Sequence, residues 1–104
     1  WGVPTFDAFY SLQSLVRSPG AGGDGNFNLG RFSDPQMDAL IERVKKETDA
    51  PTRNALIEQA LIKEHELVSH IPLYNQVIPW AGTKKVEIIH RADNRIDWRY
   101  LKVN

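Results

Sequence analysis

The chain has 104 residues, with 13 Lys plus Arg against 13 Asp plus Glu, 41% hydrophobic residues and no cysteine. That length and composition suit one globular domain rather than a disordered segment, and no apolar run reaches the roughly 20 residues that span a bilayer. Zero net charge without a long basic run excludes a nucleic-acid binder held by phosphate contacts, and the lack of cysteine excludes disulfides, thiolate zinc sites and thiol nucleophiles.

Trp1-Gly2-Val3-Pro4 reads as a short extended or turn-like entry. Phe6, Phe9, Tyr10, Leu12, Leu15 and Val16 then recur at helical spacing, with Thr5 or Asp7 as the cap and Pro19-Gly20 as the stop. Five of the seven glycines fall between Gly20 and Gly30, which predicts a long irregular loop over 18–31. Ser33 followed by Gln36 has the form of a capping box, and Met37, Leu40, Ile41 and Val44 supply an apolar stripe, so a helix is expected over 33–47. A second helix is expected from about Pro51 to Ser69, capped by Thr48 or Asp49, with Leu56, Ile57, Ala60, Leu61, Leu67 and Val68 on its apolar face. The short connection makes the pair an αα-hairpin. From Ile71 the period shifts towards 2. Leu73, Tyr74, Val77 and Ile78 then read as one strand, Val86 to Ile89 as another, and Ile96, Trp98 and Tyr100 as a third. These elements make an α+β domain when the chain is taken alone.

No motif carries catalysis. Gly20 to Gly25 matches G-x-G-x-x-G in letters, yet it follows a helix rather than a strand and leads into no helix start. A flexible loop is the better account. His65 and His70 are five apart, which on a helix sets them about 140° around the axis and prevents a shared metal. His70 instead suits the end of the helix. The Asp34/Asp38 and Glu64/Glu66 pairs fit capping and a solvated face. Trp1, Phe27 and Trp80 lie outside regular elements beside Gly or Pro, where an aromatic can line a pocket or simply pack.

The order of signals is more specific than any single one. Trp1, Asn28, Ser33-Asp34-Pro35 with Asp38, Thr48-Asp49 with Arg53, and Ile71-Pro72-Leu73-Tyr74 occur in sequence over essentially the whole chain. In this the chain resembles the C-terminal part of the family 5 extracytoplasmic solute-binding proteins, the dipeptide- and oligopeptide-binding receptors of ABC importers. The resemblance implies an α/β, two-lobed periplasmic-binding-protein fold that closes over its ligand by hinge motion. Residues 1–78 would belong to the second lobe, and 79–104 would return through the hinge to the first. It implies no enzymatic activity, no catalytic or metal-ligating residue and no cofactor. The partners it implies are a small solute, a peptide or similar, together with a membrane permease and the remainder of the same receptor chain.

A chain that opens Trp-Gly-Val-Pro, without an initiator Met or a signal peptide, is accordingly expected to be a fragment of something longer. The ligand-binding residues the resemblance carries over are Trp1, Gly2, Val3, Pro4 and Asn28, the last matching a family Asn in the loop before the hairpin, where ligand contact and a structural role are both open. Peptide binders of this family place at the position of Pro4 an Asp that pairs with the peptide's α-ammonium, so the match departs from the pattern there. The alternative reading is a free-standing α+β interaction domain.

Overall fold

The computed structural model describes all 104 residues, and these fall into two units, Thr5–Pro72 and Trp1–Pro4 with Leu73–Asn104. Three helices and two strands make it a mixed helix and strand structure.

In the unit Thr5–Pro72, Asp7 starts the first helix. Its backbone is extended and its carboxylate accepts from the Phe9 N–H, which defines α1 (Ala8–Ser11). Phe6 stays outside the helix, with a positive φ of 55° and 73% of its surface exposed. The chain then continues as a π-helical turn, Leu12–Val16, closed by the Arg17 N–H donating to the Leu12 carbonyl at 2.9 Å. Leu12, Ser14 and Val16 are all buried there.

The second helix, α2 (Pro35–Lys46), is capped by Asp34, whose carboxylate accepts from the Met37 N–H at 2.6 Å. The capping-box reading of Ser33 is therefore corrected by one position. Two adjacent residues can both cap, and Ser33 is engaged elsewhere, with its hydroxyl 2.8 Å from that of Ser18. Pro35 takes the first turn, where its missing N–H costs nothing. The apolar stripe is placed as expected, with Met37, Ile41 and Val44 at 0% exposure.

The third helix, α3 (Ala50–Leu67), begins on Asp49, which accepts from both the N–H and the hydroxyl of Thr52. Helices α2 and α3 pack against each other as the expected hairpin. Leu12, Val16, Met37, Ile41 and Ala60 form the core, with Phe9, Leu15, Phe32 and Leu40 against it. Of the apolar face expected on α3, only Leu56 and Ala60 are buried; Leu61, Leu67 and Val68 are exposed. The helix ends at Leu67 rather than Ser69, because Val68 adopts the left-handed conformation (φ 50°, ψ 41°). His70 thus lies beyond the helix, its Nδ1 3.3 Å from the Glu64 carboxylate.

The other unit, Trp1–Pro4 with Leu73–Asn104, contains a two-stranded antiparallel ladder, β1 (Val86–Glu87) with β2 (Lys102–Val103). Val86 pairs with Val103 and Glu87 with Lys102. Two of the three expected strands are corrected. Leu73 to Ile78 joins no ladder. Trp98–Tyr100 forms a 3-10 turn because the Asp97 carboxylate accepts from the Arg99 N–H and pulls the chain round. No residue of this unit is buried; every buried side chain lies in Thr5–Pro72.

Candidate functional site

The loop over 18–31 is tied down residue by residue. Gly25 N–H donates to the Gln13 carbonyl and Phe27 N–H to the Ser14 carbonyl, both at 2.9 Å. Gly25 is required at its position: φ is 62°, and a Cβ there would lie 2.6 Å from the Arg17 carbonyl oxygen. Asp24 accepts from the Gln13 amide at 2.9 Å and pairs with the Arg17 guanidinium at 3.0 Å. Arg17 also reaches Glu42 on α2 at 2.8 Å, and the hydrogen bond from Arg17, followed by that from Lys46, holds the Glu42 carboxyl down at about 2. Asp38 accepts from the Ser18 N–H. These acidic groups cap and tether, and none converges on an opening for acid–base work.

Asn28 sits at the centre of this tethering. Only 5% of it is exposed. Its Nδ2 donates to the Arg17 and Phe32 carbonyls at 3.0 and 2.8 Å, and its Oδ1 accepts from the Phe32 N–H at 2.9 Å. Both ends of the amide are thus used in fixing where the loop turns back towards α2. Trp1, Gly2 and Pro4 are exposed and Val3 half-buried; these four belong with Leu73–Asn104, while Asn28 belongs to Thr5–Pro72.

Asp7, the acidic residue nearest in sequence to Pro4, is held by Arg53 of α3 at 2.9 Å while it caps α1. Arg53 also lies 5.9 Å from the centre of the Phe9 ring. The Asp7 carboxylate consequently already has a cation.

One other constellation has shape without chemistry. Ser69 Oγ lies 2.9 Å from Glu64 Oε1 and 2.9 Å from His70 Nδ1, a serine, histidine and carboxylate together. A triad needs the serine on one ring nitrogen and the carboxylate on the other, whereas here both crowd Nδ1. No group of three or more His, Asp or Glu is placed to hold a metal ion.

Trp80 lines an open cleft of about 380 Å³ with Ile78, Pro79, Gly82, Val86, Ile88 and His90 among its walls. Its indole N–H donates to Asn94 Oδ1 at 2.7 Å, and its ring centre lies 4.8 Å from that of His90. Trp80 is one of the three aromatics that stood out in the sequence as able to line a pocket. Its neighbours His90 and Asn94 gave no readable spacing, because the turn that brings them back to Trp80 is set by tertiary structure.

No protein-family model matches the chain, and no solved structure does. Among curated proteins, the chain is similar to one of Escherichia coli (strain K12) described as the probable deoxycholate-binding periplasmic protein YgiS. The two are 31% identical over 87 residues, which is 79% of this chain and 15% of that protein. The chain therefore spans about 15% of the length of the curated relative it matches. No helix is long and apolar enough to cross a membrane.

Proposed function

We propose that the chain is part of the substrate-binding component of an ABC importer, a non-enzymatic periplasmic receptor of the family 5 extracytoplasmic solute-binding proteins. The observation that carries this reading is the 31% identity over 87 residues to a periplasmic binding protein. The ordered motifs from Trp1 to Tyr74 also support it. In this reading residues 1–78 contribute to the second lobe of a two-lobed fold and 79–104 return to the first. Trp1, Gly2, Val3 and Pro4 face the solute, and Asn28 holds its own loop in place. The remainder of the receptor covers the apolar side chains left exposed between Ile71 and Ile78. A membrane permease receives the solute.

The solute is a small molecule that does not rely on a free α-ammonium group. Pro4 supplies no charge where peptide binders carry Asp, and the Asp7 carboxylate is engaged by Arg53. A steroid acid such as the deoxycholate in the relative's name carries no ammonium group and so needs no carboxylate at the position of Pro4.

Mass spectrometry of the ligand that co-purifies with the gene's full-length product tests the reading. A bound bile acid or comparable small solute is expected, in a product several times longer than 104 residues. A product of about this length with no bound small molecule overturns it.

A further inference from the structure

We draw no further inference here: the strongest candidate, the surface patch at the loop tip that carries exposed Phe27, Leu29 and Arg31 beside the buried Asn28, carries none because nothing in the structure shows what covers it.

Discussion

Arg53 and Asp7 are 46 positions apart in sequence, and their side chains meet at 2.9 Å. The contact ties the start of α1 to the first turns of α3, and it does so with a carboxylate that is already a helix cap. An arginine that stood out in the sequence as part of a hairpin motif thus serves α1. It also removes the acidic side chain closest in sequence to Pro4 from competition for a cationic ligand.

Breaking this pair is expected to cost little but measurably. Both side chains are partly exposed, at 25% and 39%, so Arg53→Met should lower stability by about 0.5–1 kcal/mol, ion pair and ring contact together. A double-mutant cycle with Asp7→Asn, read by urea unfolding, should show a positive coupling energy. Strictly additive losses would mean the contact contributes nothing.

Asn28 is the costlier residue to lose. Asn28→Ala leaves the Arg17 and Phe32 carbonyls and the Phe32 N–H without their partner in a buried setting, and should destabilise by about 2–3 kcal/mol. Asn28→Asp keeps the acceptor for Phe32 but loses the donor, and is expected to be at least as damaging. Thermal unfolding with circular dichroism distinguishes this from a surface position, where the change would fall within about 0.5 kcal/mol.

The Arg17–Glu42 pair makes stability depend on acid. The Glu42 carboxyl is held at about 2 against an ordinary 4.5, first by the hydrogen bond from Arg17 and then by that from Lys46. A folded-state value below the unfolded one means the contribution is complete above about pH 4.5 and disappears as pH falls towards 2. Glu42→Gln should therefore melt below the parent at neutral pH, and the two melting temperatures should converge near pH 2. A constant gap across that window contradicts the assignment.

Val68 sits in the left-handed region that a β-branched residue rarely occupies. Glycine adopts that conformation freely and is the usual residue where a helix ends this way. Val68→Gly should accordingly raise stability by about 1 kcal/mol, since Val68 is 65% exposed and gives up little packing. A lower melting temperature in the variant would show that the valine side chain contributes more than the strain costs.

The helical hairpin was legible in the sequence because its signals are local. A cap, a proline in the first turn and a stripe at 3.6 spacing sit within a dozen residues of each other. Even the error at Ser33 stayed local, one cap-forming residue standing next to another. Strands need a partner that spacing does not supply. Leu73 to Ile78 alternates well enough to read as a strand but pairs with nothing. At Trp98–Tyr100 the cap from Asp97 overrides the alternation. The π turn at Leu12–Val16 depends on the Arg17 N–H reaching back five residues, which no apolar pattern announces. For the site, Asn28 stood out in the sequence, yet its three bonds could be found only in the folded loop. The Trp80 cleft was half visible, as an aromatic next to Pro79.

In the proposed receptor, Trp1 to Pro4 face a small solute. Calorimetric titration of the full-length protein with deoxycholate and with a dipeptide, in the natural sequence and in Trp1→Ala, tests that most directly. Saturable binding of deoxycholate is expected, with weaker or undetectable binding of the dipeptide and at least a tenfold loss of deoxycholate affinity in Trp1→Ala. Binding of neither solute by the full-length protein, or deoxycholate binding that Trp1→Ala leaves unchanged, would contradict it.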